Sequence, residues 1–193
     1  MKLINKGAEA FIYQSEFHGI KSVVKKRIPK TYRNATLDER ITTTRIKEEA
    51  RMLRRARENA KISTPRVFDV RLNERELEIE FIKGKNLSKT TGFHDKAGEI
   101  LGKLHANHII HGDYTRNNIL ENEGKLIVID FGLSYESEKH EDKATDLIVY
   151  KMNCNDKEFQ TFIKNYEKTN PDKQTLRTVE KIMLMGRYKS GRQ

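Results

Sequence analysis

The sequence predicts an α+β protein with two lobes: an antiparallel sheet with one helix, followed by a small, mostly helical carboxy-terminal lobe. Three observations predict this architecture. Short apolar runs separated by turns occupy much of residues 1–82, one long helical pattern interrupts them, and amphipathic helical patterns dominate residues 83–193. A chain of 193 residues has the size of about one domain, so we expect the two lobes to share a single cleft.

The amino-terminal lobe begins with two predicted strands, Ile4 to Tyr13 and Ser22 to Ile28, separated by a short turn. Residues 37–60 contain neither Pro nor Gly and are rich in Glu, Arg, Ala and Leu, which is typical of a helix. A hairpin with strands at residues 67–72 and 77–82 completes the predicted lobe.

The carboxy-terminal lobe begins with a predicted buried helix over residues 93–104. A loop and an apolar strand at Leu126 to Ile129 follow, and residues 141–147 form the next helix. Two amphipathic helices and a basic tail complete the chain. The tail contains Arg187, Lys189 and Arg192.

The composition indicates a soluble, cytoplasmic protein without a membrane segment. The only cysteine is Cys154, which excludes an internal disulfide and fits a reducing compartment. The first residues lack the apolar run of a signal peptide. The net charge of +10 favours an anionic partner such as a nucleotide or nucleic acid, although a solvated basic surface explains it equally well.

The most informative stretch is 104–132, which places three polar residues at a characteristic spacing. Asp113 precedes Asn118 in a loop, and Asp130 follows the predicted strand at 126–129. This arrangement resembles the catalytic and metal loops of protein kinases, which use ATP. Because Mg²⁺ prefers oxygen ligands, Asn118 and Asp130 are the predicted metal ligands, and Asp113 is the predicted catalytic carboxylate.

Strand and helix periodicity predict a second functional pair, Lys25 and Glu49. Alternation along the strand places Lys25 and Lys26 on opposite faces, and Lys25 follows Val23 on the face expected to meet the nucleotide; Lys26 is the alternative. Glu49 lies on the apolar stripe of the predicted helix. A buried carboxylate needs a cation, so Lys25 is its expected partner.

Two further segments are predicted to contact ATP. Residues Gly7, Ala8, Glu9 and Ala10 stand where a kinase has its phosphate-covering loop, although only one glycine is present. Glu80 and Ile82 stand in the hinge position, where backbone groups would recognise the adenine edge. His105 and His111 are interpreted as structural, packed histidines.

The segment after Gly132 departs from an ordinary protein kinase. It contains no Ala-Pro-Glu and runs directly into the predicted helix at 141–147. Gly112 stands where kinases that are regulated by activation-loop phosphorylation have an arginine, so that switch has no receptor at this position.

Taken together, the motifs resemble the small atypical serine/threonine kinase of the KEOPS complex, the bud-site-selection kinase family. The motifs that support this resemblance are Lys-Gly-Ala-Glu-Ala (6–10), Val-Lys-Lys-Arg-Ile-Pro-Lys-x-Tyr-Arg (24–33), His-Gly-Asp-x-Thr-x-x-Asn (111–118), Asp-Phe-Gly-Leu-Ser (130–134) and Glu-Asp-Lys-Ala-x-Asp-Leu (141–147). The His-Gly-Asp form and the Glu-Asp-Lys-Ala block are interpreted as separating the chain from large kinases and from RIO kinases.

The resemblance implies a kinase and ATPase that uses ATP and Mg²⁺ and belongs to an assembly that makes threonylcarbamoyladenosine in tRNA. It implies a synthase subunit on the carboxy-terminal lobe, a small subunit on the amino-terminal lobe and tRNA bound through the assembly. It also makes the tail residues Arg187, Lys189 and Arg192 candidates for contact with the synthase or tRNA.

The sequence leaves two alternatives open. In the first, the chain is a largely non-catalytic scaffold that binds tRNA or a partner. In the second, it is a small-molecule phosphotransferase of the aminoglycoside type, a class that shares His-Gly-Asp-x-x-x-x-Asn. Lys25, Glu49, Asp113, Asn118 and Asp130 together argue against a scaffold. The small predicted carboxy-terminal lobe argues against the small-molecule enzyme.

Overall fold

The amino-terminal part of the chain is a five-stranded antiparallel sheet with one long helix. The computed structural model describes residues 1–7 and 9–190, with residues 186–190 described by their backbone alone. The strands follow the order β1-β2-β3-β5-β4 across the sheet. Their bounds are β1 Lys2–Lys6, β2 Ala10–Phe17, β3 Ile20–Arg27, β4 Val67–Arg71 and β5 Glu76–Glu80.

The first predicted strand, Ile4 to Tyr13, is wrong as a single element. The chain turns between β1 and β2, and the two strands pair antiparallel with Lys6 opposite Phe11. Gly7 lies in this turn and donates its N–H to the Ala10 carbonyl at 3.0 Å. Apolar residues continue on both sides of the turn, so the composition of the segment concealed the reversal.

The long helix, α1, spans Ala35–Glu58 and packs against β4 and β5. The Asn34 side chain caps its first turn by accepting from the N–H of Thr36 at 3.0 Å. One face of α1 is buried and includes Ile46, Met52 and Leu53. Glu49 lies on this same face, as the sequence pattern predicted.

Among the described residues, the carboxy-terminal part contains four α-helices, α2 His94–Ala106, α3 His140–Lys151, α4 Asp156–Thr169 and α5 Lys173–Ser190. The axes of α2 and α4 approach closely because α2 presents two glycines to α4. A Cβ atom on Gly98 would lie 2.1 Å from the Phe162 carbonyl oxygen, and one on Gly102 would lie 2.7 Å from that of Tyr166. Any side chain at either position would separate the helices.

Short strands hold the two loops that contain the predicted catalytic and metal residues. One ladder consists of β6 Lys85–Asn86, β8 Ile119–Asn122 and β9 Lys125–Val128, and another pairs β7 Ile109–Ile110 with β10 Tyr135–Glu136. The catalytic loop connects β7 to β8, and the metal loop begins after β9. The ladders therefore fix both ends of the catalytic loop.

The sheet and α1 precede residue 81, and all the other elements follow residue 84. We retain the division into lobes at residues 1–82 and 83–193 as a proposal. Within residues 1–7 and 9–190, we find no helix that is both long and apolar enough to cross a lipid bilayer.

Candidate active site

A cleft lies between the five-stranded sheet and the short strands of the carboxy-terminal part. It consists of two adjoining cavities of about 690 and 340 Å³. The larger lies beside residues 79–82 and Asn118, and the smaller beside Asp113. Lys25 and Asp130 line both. We call this space the interlobe cleft, and its larger cavity is within the range of about 300–1,000 Å³ that is usual for ligand sites.

Lys25 on β3 contacts two carboxylates from distant parts of the chain. Its Nζ pairs with Glu49 on α1 and lies 2.7 Å from Oδ1 of Asp130. Burial alone would lower the pKa of Lys25, but the Glu49 and Asp130 carboxylates outweigh burial and hold this pKa above its ordinary value. The amine is therefore charged at neutral pH and faces the cleft, where it can meet an anionic ligand.

Lys26, the alternative phosphate-binding lysine, lies on the opposite face of the sheet. Its Nζ is 2.8 Å from Oε1 of Glu76, and its side chain is 47% exposed. Only Lys25 of the two lysines lines the interlobe cleft. The position of the side chains therefore favours Lys25.

Arg27 is a site residue that the sequence interpretation missed. It lies two residues after Lys25 on β3, and its Nη2 is 2.9 Å from Oε2 of Glu49. The buried Glu49 carboxylate thus has one cation on each oxygen. If Lys25 turned towards a ligand, Arg27 would still compensate the charge of Glu49, which would avoid the large cost of a buried unpaired carboxylate.

Asp113 and Asn118 are bonded to each other across the catalytic loop. The amide nitrogen of Asn118 donates to Oδ2 of Asp113 at 2.8 Å and to the Asp113 carbonyl at 2.9 Å. These bonds engage the nitrogen of the amide, so Oδ1 is the atom of Asn118 that could bind a metal. They also orient the Asp113 carboxylate at the edge of the smaller cavity.

Asp130 adopts a left-handed backbone conformation with φ +60°. This conformation is costly for most residues, but Asp and Asn tolerate it better than others. Partial burial in the cleft alone would raise the pKa of Asp130, but the charge of Lys25 outweighs it and holds this pKa below its ordinary value. The carboxylate is therefore ionised and about half exposed to the cleft.

Asn118 and Asp130 fit a magnesium ion that is bound together with a nucleotide. Within the described part of the chain, no three His, Cys, Asp or Glu side chains meet as a metal site. A nucleotide-bound Mg²⁺ needs only one or two carboxylates from the protein, because phosphates and water complete its octahedral shell. The amide oxygen of Asn118 and the ionised Asp130 are ligands of the hard type that Mg²⁺ prefers.

Asp146 on α3 is a second residue that the sequence interpretation left without a role. Its fully buried carboxylate accepts from the backbone N–H groups of His111 at 2.7 Å and Gly112 at 2.8 Å. The buried His105 ring lies 3.2 Å away. Hydrogen bonds to a buried charge are stronger than ordinary ones, so Asp146 fixes the backbone that leads to Asp113.

His111 joins the catalytic loop to the metal loop and lies in the interior, as a structural histidine should. Its Nε2 donates to the Ile129 carbonyl at 3.1 Å, and its Nδ1 accepts from the Asp113 N–H at 3.3 Å. This pair of bonds requires the neutral ring. Burial lowers the pKa of His111 despite the opposing charge of Asp146, which further favours the neutral form.

The depressed pKa of His111 predicts that the protein loses stability in mild acid. Below about pH 6.5 the unfolded chain binds a proton at this position that the folded chain excludes. The free energy of unfolding therefore decreases as the pH is lowered, by up to about 1.4 kcal/mol for each pH unit. Burial also lowers the pKa of His94, and a His94→Gln variant separates the two contributions. Urea denaturation of that variant between pH 7.5 and 5.5 tests His111, and a flat profile would contradict it.

Four of the remaining predicted site residues lie at the turn between β1 and β2. Gly7, Glu9 and Ala10 line the smaller cavity, and Ala8 is outside the described residues. Glu9 pairs with Arg45 of α1 at 2.8 Å, so this turn is joined to the helix.

Glu80 and Ile82 line the larger cavity. The Glu80 N–H donates to the Arg66 carbonyl at 2.8 Å, so a purine would have to use other backbone groups of this segment. In the tail, Arg192 is outside the described residues, and Arg187 and Lys189 are described only as backbone of α5.

The sheet, α1, the two loops and the helices define a protein-kinase-like fold. The structure resembles a Rio2 kinase–ADP/Mg²⁺–phosphoaspartate complex from Chaetomium thermophilum, with a TM-score of 0.59, 13% identity, and coverage of 98% of this chain and 72% of the other. It also resembles a macrolide 2'-phosphotransferase from Brachybacterium faecium, with a TM-score of 0.67, 11% identity, and coverage of 94% and 82%. These likenesses concern the fold alone.

The sequence matches place the chain within this class. The RIO domain model matches residues 10–165. The EKC/KEOPS complex subunit bud32 of Dictyostelium discoideum is 35% identical over 97% of this chain and 83% of that protein. The chain belongs to the RIO-domain family and, within it, to the family of that bud32 subunit. The motifs that were interpreted as separating the chain from RIO kinases therefore lie within a RIO domain.

The chain also matches one part of longer archaeal proteins. A probable bifunctional tRNA threonylcarbamoyladenosine biosynthesis protein of Methanobrevibacter smithii is 37% identical over 96% of this chain but only 36% of that protein. The corresponding protein of Methanosarcina mazei is 36% identical over 97% of this chain and 36% of its own length. This chain spans about a third of these relatives.

Proposed function

We propose that the chain is a Mg-ATP-dependent phosphotransferase, with serine/threonine kinase and ATPase activity, that acts as a subunit of a KEOPS tRNA-modification complex. The observation that supports the chemistry is the convergence of Lys25, Asp113, Asn118 and Asp130 on the interlobe cleft. These residues come from β3, the catalytic loop and the metal loop. The family membership supports the assembly.

Each residue has a distinct role in the proposed reaction. Lys25, held by Glu49, binds the phosphates of ATP, and its charge opposes the charge that develops during transfer. Asp113 accepts the proton of the attacking hydroxyl or orients a water molecule. Asn118 and Asp130 hold Mg²⁺, which neutralises phosphate charge when it is bound. Little covalent help is needed, because phosphoryl transfer depends mainly on position and charge.

The proposed partners of this chain are supported by its relatives. The bifunctional archaeal proteins extend well beyond the part that matches this chain. We therefore propose that their second part corresponds to a synthase that contacts the carboxy-terminal lobe here. A small KEOPS subunit on the amino-terminal lobe, tRNA bound through the assembly and a cytoplasmic location are further proposals that rest on the family.

The fold resemblance to the macrolide phosphotransferase supports a second candidate, a small-molecule phosphotransferase. That resemblance comes with 11% identity, whereas the bud32 subunit is 35% identical over nearly the whole chain. A scaffold without catalysis is the third candidate. The convergence of Lys25, Asp113, Asn118 and Asp130 on the cleft argues against it, because a scaffold does not require these four groups together.

ATP consumption and phosphate transfer by the purified chain distinguish these candidates. We expect Mg²⁺-dependent turnover and phosphorylation of serine or threonine on the chain itself, with faster ATP hydrolysis when the synthase and tRNA are added. Transfer to macrolides or aminoglycosides, without transfer to protein, would favour the small-molecule enzyme. No turnover under any of these conditions would favour the scaffold.

A further inference from the structure

Glu136 lies between two arginines of α1, although it belongs to the carboxy-terminal part of the chain. Its Oε2 is 3.3 Å from Nη1 of Arg51 and also pairs with Nη1 of Arg55. The two arginines are one helical turn apart, so they approach the carboxylate together. Glu49 is two residues before Arg51 on the same helix. We call this arrangement the Glu136 bridge.

The backbone of Glu136 is held next to the catalytic loop. In the β7–β10 ladder, Glu136 pairs with Ile109 and Tyr135 pairs with Ile110. The N–H of Ser137 also donates to the His108 carbonyl at 3.0 Å. Because β7 leads directly to Asp113, the Glu136 bridge connects the helix that contains Glu49 to the loop that contains the catalytic carboxylate.

The Glu136 bridge differs from a second ion pair that joins the two parts of the chain near the site. That pair, Lys25 with Asp130, uses the two groups that would bind the phosphates and the metal, so nucleotide binding would separate them. The groups of the Glu136 bridge lie outside the residues that line the interlobe cleft. A nucleotide in the cleft therefore does not have to separate the groups of the Glu136 bridge.

Glu136 lies on the segment after the metal loop, and its permanent carboxylate pairs there with arginine. In many kinases a phosphate on the segment after the metal loop pairs with arginine and orders that segment. Here an arginine at position 112 is sterically unfavourable, because a Cβ atom on Gly112 would lie 2.4 Å from the Leu133 carbonyl oxygen and Gly112 has φ +79°. The arginines are instead on α1, and their partner is a permanent charge.

We propose that Glu136 is a positioning residue that holds α1 against the catalytic loop and so keeps Glu49 and Lys25 in place during phosphoryl transfer. This inference rests on the proposed function. The Arg55 guanidinium also holds the pKa of Glu136 below its usual range, so the bridge is charged at neutral pH. Because exposed ion pairs add little to stability, the effect of Glu136 is on turnover rather than on folding.

Glu136→Gln removes the charge while keeping the shape of the side chain. We expect kcat/KM for ATP to fall about tenfold, with an unchanged unfolding midpoint, because changes along a coupling network have effects of this order. The matched control is Glu138→Gln, whose side chain is 81% exposed and pairs only weakly with His108 at 3.7 Å. A double substitution, Arg51→Gln with Arg55→Gln, should cause the same loss.

Combining these changes tests the bridge itself. Arg51→Gln with Arg55→Gln should cost nothing further in the Glu136→Gln background, because the interaction is already absent. An equal loss in both backgrounds, or wild-type turnover in Glu136→Gln, would overturn the proposal.

A second readout does not depend on activity. Spin labels at Glu58 on α1 and Glu141 on α3, in a Cys154→Ser background, should give a narrow distance distribution that broadens in Glu136→Gln. Broadening in a chain that does not turn over ATP would contradict the proposed function but retain the positioning role. Identical distributions in a chain that turns over ATP would contradict the positioning role alone.

Discussion

Asp113→Asn should lower phosphoryl transfer by about 10²–10⁴-fold, which is the range that a positioned general base contributes. The substitution keeps the size of the side chain and can still bond to Asn118, whose amide now holds Asp113 at 2.8 Å. The amide cannot accept the proton of the attacking hydroxyl, so turnover is lost while the site keeps its shape. Rapid-mixing measurement of ATP consumption gives the rate directly.

The control for this variant is Asp95→Asn, an exposed carboxylate at the start of α2. It should retain full turnover. The unfolding midpoint and the affinity for a non-hydrolysable ATP analogue should be the same in Asp113→Asn and in the wild type. Unchanged turnover in Asp113→Asn would remove Asp113 from the mechanism.

Asp130→Asn should abolish the contribution of magnesium to nucleotide binding. Asparagine tolerates the left-handed conformation of Asp130, with φ +60°, so the metal loop keeps its backbone. The charged oxygen that would bind the metal is lost, and Lys25 loses one of its two carboxylate partners. We expect affinity for Mg-ATP to fall by at least about 10–100-fold, the range seen even for residues that only support a metal ligand.

Calorimetric titration with an ATP analogue, with Mg²⁺ and with EDTA, separates the two effects. The wild type should bind more tightly with Mg²⁺, and Asp130→Asn should bind equally with and without it. Free ATP carries more negative charge than Mg-ATP, and Lys25 remains present, so weak metal-independent binding should persist. A variant that keeps the full magnesium dependence would contradict the metal assignment.

The sequence predicted those parts of the site that depend on local patterns. Strand alternation distinguished Lys25 from Lys26, and the helical stripe placed Glu49 among buried residues. Asp113 and Asn118 lie in one loop, and Asp130 follows the hairpin of β8 and β9. Their spacing along the chain was therefore enough to predict that they lie near each other. The predicted bounds of α1, α2 and β4 lie within two residues of the observed ones, whereas α3 continues four residues beyond its predicted end.

The residues that the sequence did not reveal act through contacts between distant elements. Arg27 is on the same strand face as Lys25, a signal that alternation provides, but its bond to Glu49 depends on the position of α1. Asp146 is an acid at a buried position of α3. Its burial indicates that the carboxylate has a polar partner, but the sequence does not show which residue that is. Glu136 belongs to a two-residue strand, and nothing local connects it with arginines 81 and 85 residues earlier.

The central claim is that side chains from three distant segments bind one triphosphate in the interlobe cleft. A crystal structure of the chain with Mg²⁺ and a non-hydrolysable ATP analogue tests it most directly. We expect Nζ of Lys25 within hydrogen-bond distance of the phosphates, and a metal ion bound by oxygens of Asn118 and Asp130. A nucleotide bound elsewhere, or one whose phosphates point away from Lys25 and Asp130, would contradict the claim.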